Sequence, residues 1–216
     1  MAATINVGGT CTLVRAINAA NKDTRANGRC AKGSGADTIV LPRGSTQRLT
    51  SVNNDDNGLP VIRSDITIVG NNSTIRRAPT APEFRLLAVA ETGDLTLNRL
   101  TLAGGSANSG GGVHNFGHIV IHSSTISGNV AQERGGGVAN YLDGTLTVNK
   151  STLSGNTAQD FEGGGLFIAY DYVGSNRVTK RTISGNSAST GGGIGLFSDA
   201  VTVVNSTVYG RFCIGC

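Results

Sequence analysis

The sequence of 216 residues predicts an all-β fold, a single-domain right-handed parallel β-helix, from three observations. First, a motif with SGN, then GGG and an aliphatic residue, recurs within 124–138, 151–166 and 182–194, and a looser copy without SGN precedes it at 100–113. Second, the threonines that anchor its copies lie 24, 27, 30 and 25 residues apart, a spacing typical of stacked solenoid coils. Third, apolar residues alternate with polar ones, as in strands with one buried face. The anchoring threonines are Thr101, Thr125, Thr152, Thr182 and Thr207.

Each repeat is expected to supply three short strands, typified by 146–148, 125–127 and 136–138. The glycine triplets permit positive φ angles and close approach of neighbouring coils. Crossover connections between parallel strands favour a right-handed coil, and the repeat length predicts roughly seven or eight coils. Asparagines at equivalent corner positions are expected to hydrogen-bond along the stack through their side-chain amides. They are Asn129, Asn156 and Asn186 in one column, and Asn115 and Asn140 in another.

The repeat divides the chain into an N-terminal cap region at 1–35, coils at 36–208 and a tail at 209–216. Helical spacing of apolar residues within 11–24 predicts a short amphipathic helix that closes the bore, with Thr10 or Thr12 as its N-cap. Residues 36–41 and 65–69 are predicted as early strands, and 70–94 as an irregular segment that holds a looped-out coil.

Two pairs of cysteines are present. Cys11 and Cys30 flank the predicted helix, and we hypothesise that they form a disulfide, which suits an oxidising compartment. Cys213 and Cys216 form a lone CxxC, for which a disulfide or free thiols are favoured over zinc or redox chemistry. The chain stops soon after the last anchoring threonine with no amphipathic cap. We therefore predict either end-to-end self-association or that Cys216 is not the natural C-terminus.

The composition argues against several classes of protein. The formal net charge is +4 and the pI about 9.1, yet no basic run is interleaved with aromatic residues, so nucleic acid binding is not supported. No apolar run reaches transmembrane length, so membrane insertion is not expected. The start, MAATINVGG, lacks the apolar core of a signal peptide, which predicts a mature domain or a fragment.

The segment CTLVRAINAAN, followed by GRCAKGSGADTIVLP, resembles the N-terminal module of bacterial secreted proteins that carry a C-S-L-R-E-A-I motif. The repeats are similar to the GGA[I/L/V] and FxxN repeats of chlamydial polymorphic outer-membrane proteins. This chain departs from both patterns, because Val14 and Arg15 replace Arg-Glu and aliphatic residues replace the Phe of FxxN. The resemblance implies a right-handed β-helix of the pectin-lyase-like superfold that is secreted or displayed on the cell surface. It implies no activity. Polysaccharide lyases and polygalacturonases share that superfold, but a shared fold does not imply a shared function.

An acidic column is one candidate site. Counting six residues past each glycine triplet gives His118, Asp143, Asp171 and Asp199. Equivalent positions lie about 4.8 Å apart in adjacent coils, so the aspartates could bind Ca²⁺ or supply paired acids for cleavage of a polysaccharide. A structural role is favoured, because Asp is a common turn residue. Apart from this Ca²⁺, no cofactor is expected.

Two further columns are candidate ligand-binding positions for a polysaccharide. Phe116, Tyr141 and Phe197 could stack on sugar rings, although packing at a corner is an equal explanation. Arg99, Lys150 and Lys180 lie two residues before the anchoring threonines. They could bind an anionic polysaccharide or form a solvated rim.

These patterns favour a non-catalytic, exported surface or matrix protein that is adhesive or binds glycans. No copy of the repeat carries an acid, a base and an arginine together, which polysaccharide lyase or hydrolase chemistry would need. The first alternative is such an enzyme, using the acidic column. The second is an ice-binding protein with a flat Thr/Ser face. That face comprises Thr125/Ser127, Thr152/Ser154 and Thr182/Ser184.

Overall fold

The chain folds as the repeat predicts, into a right-handed parallel β-helix with one short helix. The structure, a computed structural model, describes residues 2–25, 29–142, 144–169, 176–180, 182–197, 201–210 and 212–214. In chain order the elements are β1 (Thr4–Asn6), α1 (Leu13–Lys22), β2 (Asp37–Val40), β3 (Thr46–Leu49), β4 (Asp65–Arg77), β5 (Leu87–Val89), β6 (Asp94–Ala103), β7 (Ser106–Ser109), β8 (Val113–Asn115), β9 (His118–His122), β10 (Thr125–Ser127), β11 (Val130–Arg134), β12 (Val138–Asn140), β13 (Thr145–Asn149), β14 (Thr152–Ser154), β15 (Thr157–Ala158), β16 (Leu166–Ala169), β17 (Asn176–Thr179), β18 (Thr182–Ser184), β19 (Ile194–Phe197), β20 (Val201–Val204), β21 (Thr207–Val208) and β22 (Phe212–Ile214).

The strands stack into three faces. The first face is β1-β2-β4-β6-β9-β13-β17-β20, the second is β3-β4-β6-β10-β14-β18-β21, and the third is β5-β8-β12-β16-β19-β22. The long strands β4 and β6 bend and serve both the first and the second face. Corner 1 joins the first face to the second, corner 2 joins the second to the third, and corner 3 leads back to the first.

Aliphatic side chains at alternate strand positions fill the bore. They form in-register columns, so each side chain packs on its equivalent in the next coil, and burial of one Leu or Ile is worth about 1.5–3 kcal/mol. One fully buried column on the first face is Ile66, Leu95, Ile119 and Leu146. Its counterpart on the second face is Ile75, Leu102, Ile126, Leu153 and Ile183.

The asparagine ladders form as predicted. The side-chain amide of Asn129 donates to Oδ1 of Asn156 at 3.0 Å, and that of Asn156 donates to Oδ1 of Asn186 at 2.9 Å. The same oxygens also accept the backbone N–H of the preceding coil, and Asn129 and Asn156 are fully buried. Asn115 likewise donates to Asn140. The ladders thus satisfy buried backbone groups at corners where the sheets end.

Left-handed backbone occurs at corner 1 in residues for which the sequence analysis did not predict it. The first glycine of each triplet has positive φ, but the ladder asparagines do not. At corner 1 the left-handed residues are Arg99, Ser123, Lys150, Lys180 and Asn205, with φ between 48° and 52°. Their side chains are exposed to solvent. The left-handed conformation costs a modest strain energy and allows the chain to bend sharply between the two faces.

The predicted cap helix is α1. Thr12 is its N-cap, with Oγ1 accepting the N–H of Arg15 at 3.3 Å, and Asp23 ends it in a left-handed conformation. Leu13 and Ile17 face the bore and are buried. A disulfide joins Cys11 to Cys30, as hypothesised, and Cys213 is disulfide-bonded as well, whereas Cys216 lies outside the described residues.

We expect the double substitution Cys11→Ser/Cys30→Ser to lower the free energy of unfolding by about 3 kcal/mol, because the bridge closes a loop of about twenty residues in the unfolded chain. Urea unfolding in oxidising and in reducing buffer measures the effect. Reductant should destabilise the parent more than the variant. Equal stability of the two proteins in oxidising buffer would show that the bridge contributes nothing.

Several boundaries differ from the sequence prediction. The third face has six strands, so there are six complete coils rather than seven or eight, because the earliest strands contribute only to the first two faces. Its strands begin after the glycine triplets, at Val138 rather than at 136. Residues 70–77 continue β4 instead of starting an irregular segment. A small sheet, β7-β11-β15, was not predicted.

The predicted tail at 209–216 contains a strand. β22 pairs with β19 and extends the third face by one rung. β20, β21 and β22 stand at the ends of the three faces, and Val203 and Val204 near this end are partly exposed. Self-association through these strands stays a prediction.

Candidate functional site

The predicted aromatic column lies at the outer side of the third face. The ring centroids of Phe116 and Tyr141 are 6.0 Å apart, and Phe167 continues the row, 5.4 Å from Tyr141 and 5.7 Å from Phe197. Phe167 was missed by the sequence analysis. The aromatic column was defined by the fourth residue after each glycine triplet, and in this coil that residue is Ala169. The outward parity of β16, on which Phe167 alternates with the inward Leu166 and Ile168, could have found it.

One ring of this row, Phe167, is fully covered and serves packing, whereas Phe116, Tyr141 and Phe197 are half-buried. Phe167 is buried although it points away from the bore, because Arg134 lies over its ring at 5.4 Å and over that of Phe161 at 4.7 Å. Arg134 is fixed in turn by a salt bridge from its Nε to Oε2 of Glu162 at 2.7 Å. The ion pair and the rings thus form a small second core on the outside of the coil.

His114 packs into the same row, 4.5 Å from Phe116 and 5.0 Å from Tyr141 between ring centroids. Burial, with a further contribution from the charge of Arg85, lowers the pKa of His114 to about 3. The ring is therefore neutral at neutral pH. The guanidinium of Arg85 is committed to protein acceptors, since it donates to the carbonyl of Ser109 and to Oδ1 of Asn57.

One end of the row opens into a recess. At corner 3, Phe116 and Ala90 line a cavity of about 350 Å³ together with Arg63, Glu91 and Thr92. The three polar residues are exposed, and the ring of Phe116 is half-buried. Corner 3 therefore combines an apolar platform with charged and hydroxyl groups in one recess.

The predicted basic column lies elsewhere. Arg99, Lys150 and Lys180 project from corner 1, between the first and the second face, and all three are exposed. The aromatic row lies at the third face and corner 3. The structure therefore does not bring the two columns onto one flank, because counting from the glycines and from the threonines selects different corners of the coil.

The second face next to this basic column is a regular array of hydroxyl groups. One threonine per coil is aligned in register from Thr46 to Thr207, and the next outward column holds Arg48, Arg76, Ala103 and then serines. Arg48 and Arg76 pair on adjacent strands, and Nε of Arg76 is buried with no hydrogen-bond partner among the described residues.

Acidic residues are absent from the segments that form this side of the solenoid. The segments that form corner 1 and the second face contain neither Asp nor Glu, but they do contain Arg and Lys. The ion pair found among the described residues, Arg134–Glu162, lies beyond corner 2. The segments are 41–50, 71–78, 99–105, 123–128, 150–155, 180–185 and 205–210.

The aspartates of the predicted acidic column, Asp143, Asp171 and Asp199, lie outside the described residues. The strand register nevertheless tests whether His118 and Asp143 occupy equivalent positions in adjacent coils, as the sequence analysis assumed. His118 pairs with Asp94 on one side and with Thr145, two residues beyond Asp143, on the other. Within the described ranges, no group of three or more His, Cys, Asp or Glu side chains is placed to hold a metal ion.

The chain matches no protein-family model, no curated protein and no solved structure. The resemblance to C-S-L-R-E-A-I proteins and to chlamydial repeats therefore stays a prediction. No helix in the described part of the chain has the length and apolar character that crossing a bilayer requires.

Proposed function

We propose that this protein is an exported, non-catalytic β-helix protein that binds an acidic polysaccharide along its second face and corner 1. The observation that carries the proposal is the one-sided absence of acidic residues, since the segments of corner 1 and the second face contain Arg and Lys but no Asp or Glu to neutralise them. The disulfide Cys11–Cys30 supports export, because such bonds persist in oxidising compartments.

The geometry suits a linear polyanion that runs parallel to the solenoid axis. Adjacent rungs are about 4.8 Å apart, so Lys150 and Lys180 lie about 5 Å apart along the axis, and Arg99 about 10 Å from Lys150. Each contact between exposed charges is worth only about 0.2–1 kcal/mol. Several contacts to one chain add, however, because the later ones form within the same complex.

Carbohydrate fits this face better than nucleic acid. The Thr and Ser hydroxyls beside the cations can donate to and accept from sugar hydroxyls, and Arg48 and Arg76 can bind a carboxylate or sulfate through paired N–H groups. Single-stranded nucleic acids are held largely by aromatic stacking platforms. The outward columns of the second face from Thr46 to Ser184 contain no aromatic residue.

We expect the triple substitution Arg99→Asn, Lys150→Asn and Lys180→Asn to weaken binding of a polyuronate about tenfold or more, because three ionic contacts are lost. Asparagine already occupies this left-handed corner at Asn71, Asn72 and Asn205, so the fold should be retained. The measurement is a titration of the protein with immobilised polyuronate, sulfated dextran and uncharged dextran at low and high salt.

The matched control removes the same charge elsewhere, by Lys22→Gln, Lys32→Gln and Arg177→Gln, and should bind almost as the parent does. All three of these side chains are exposed and lie off the second face. Equal losses of polyuronate affinity in both triple variants would show that net charge alone controls binding, and this result would overturn the proposal. So would salt-insensitive binding, or tighter binding to single-stranded DNA than to any acidic glycan.

Ice binding is the second candidate, and the in-register threonine column from Thr46 to Thr207 is the observation that favours it. The cations beside this column favour binding of a polyanion over binding of ice. Thermal hysteresis that survives the triple substitution at corner 1 would support ice binding.

Cleavage of a polysaccharide by Asp143, Asp171 and Asp199 stays a hypothesis. New reducing ends or unsaturated products in the same incubations, with and without Ca²⁺, would establish catalysis and would contradict the non-catalytic proposal. The triple substitution Asp143→Asn, Asp171→Asn and Asp199→Asn would then be expected to abolish the products.

A further inference from the structure

We infer that the cavity at corner 3 is a second carbohydrate site, which takes a single uncharged pyranose unit of a glycan. It lies at the corner opposite the second face and uses different residues, so it does not depend on the proposed polyanion site. The cavity of about 350 Å³ is at the small end of the range for ligand pockets, which suits one sugar ring rather than an extended chain.

The ring of Phe116 supplies the platform. It is held from behind by His114, at 4.5 Å between centroids, and by Tyr141, at 6.0 Å. Because its partners restrict the ring, less side-chain entropy is lost when a ligand docks on it. A pyranose presents a face of C–H groups that stacks on such a ring, while its hydroxyls point towards the edge of the pocket.

The rim of the cavity is also held in place. The backbone N–H of Arg63 donates to Oδ1 of Asn21 at 2.9 Å, and Asn21 belongs to helix α1. Oγ1 of Thr92 donates to the carbonyl of Arg63 at 3.2 Å, which joins two successive coils at this corner. The recess is thus formed by successive coils, and a hydrogen bond to the cap helix helps to hold its rim in place.

The polar groups of the rim match vicinal hydroxyls. Within the described residues, neither the guanidinium of Arg63 nor the carboxylate of Glu91 forms a side-chain hydrogen bond or ion pair. A carboxylate accepts two O–H groups from neighbouring hydroxyls, and a guanidinium donates to ring or hydroxyl oxygens. Together they give a ligand both kinds of partner beside one apolar face.

Local charge excludes an acidic sugar. Glu91 lines the cavity, and Asp65 and Asp94, paired on adjacent strands, follow it directly on the first face. Arg63 balances only one of these carboxylates. A uronic acid in the recess would therefore meet net repulsion, which is the opposite of the situation on the second face.

The expected affinity is in the millimolar range. A methyl pyranoside has only about a dozen heavy atoms, and ligands of that size bind weakly even in a well-formed site. Saturation-transfer NMR detects binding of this strength. The probes are the methyl glycosides of glucose, galactose and mannose, with methyl glucuronide as the acidic comparison, each added to the full chain at 0.15 M salt.

We expect saturable transfer to at least one neutral glycoside, strongest on its C–H face, and none to the glucuronide. Phe116→Leu keeps an apolar side chain of similar volume but removes the flat ring, and it should weaken binding at least fivefold. Glu91→Gln, at an exposed position, should weaken it about threefold or more. Tyr209→Leu removes an exposed aromatic ring elsewhere and should change nothing.

Absence of transfer to every neutral glycoside would overturn this inference, and so would equal binding by the parent and Phe116→Leu. Preference for the glucuronide would overturn it as well. The corner 1 substitutions serve to separate the two sites, since they should leave pyranoside binding unchanged while weakening the polyuronate. Failure of either site can therefore be recognised without reference to the other.

Discussion

Asn156→Ala is expected to lower the free energy of unfolding by about 3–6 kcal/mol. The side-chain oxygen of Asn156 accepts the backbone N–H of Asn129 at 3.1 Å and its amide N–H at 3.0 Å. Its own amide donates to the carbonyl of Ile126 and to Asn186. Truncation leaves several fully buried polar groups without partners, each at about 1–3 kcal/mol. Against a total stability of about 5–15 kcal/mol, this loss is large.

Urea unfolding followed by circular dichroism measures the change. Asn108→Ala is the matched control, because this asparagine is exposed on β7, and its loss should cost less than about 0.5 kcal/mol. Asn156→Asp keeps the acceptor but places a carboxylate oxygen against the Ile126 carbonyl, so it should destabilise the protein as well. A stability within 1 kcal/mol of the parent for both Asn156 variants would show that the ladder is dispensable.

Gly137→Ala should be the second severe substitution, at more than about 3 kcal/mol. The new Cβ would lie well inside contact distance of the Gly165 carbonyl oxygen, and 3.1 Å from the amide of Asn156. Both neighbours belong to the next coil, and the Gly165 carbonyl accepts the N–H of Val138 in the sheet. Relief of the clash would therefore separate two stacked coils.

The same substitution at Gly128 separates steric contact from backbone strain. Gly128 has φ of +60°, but a Cβ there would meet nothing within 4 Å. Gly128→Ala should cost only about 1–2 kcal/mol, the usual penalty of a left-handed L-residue. Thermal unfolding of the two variants should give clearly different midpoints. Equal losses would contradict the claim that close packing of coils, rather than φ, demands the triplet glycines.

The sequence predicted those features that repeat from coil to coil. The solenoid, the inward aliphatic columns and the asparagine ladders all follow from spacing, because stacking forces equivalent residues into contact. The cap helix followed from its own apolar pattern and from Thr12. Each of these depends on local chemistry that is repeated or self-contained.

Features that depend on corner length could not be predicted in this way. Counting from Gly137 placed Asp143 level with His118, but four residues separate Asn140 from Thr145 where two separate Asn115 from His118, and the register pairs His118 with Thr145. Counting residues from a repeated anchor identifies the coil in which a residue lies. It does not identify the position within that coil when the length of a corner differs between coils. The separation of the aromatic and basic columns was missed for another reason, because they were counted from different anchors, the glycines and the threonines.

Left-handed corners filled by Lys, Arg and Ser were unexpected for an energetic reason. Propensity favours Gly or Asn at positive φ, by about 1–2 kcal/mol over other residues. At corner 1 the sheets on either side fix the bend, so the corner residue has no alternative conformation. Its side chain points to solvent and is free to vary, which is why cations can accumulate there.

The absence of acidic residues from corner 1 and the second face gives the molecule an electric moment with a component directed across the solenoid. Near an anionic surface this moment produces a torque that rolls the cylinder until the second face is turned down. The axis then lies parallel to the surface and corner 3, on the far side, is turned outward. A layer of such molecules would expose the recess around Phe116 to the surroundings, so that an anchored protein could still capture a second glycan. Neutron reflectometry on a charged film would detect this flat orientation as a layer about one coil thick.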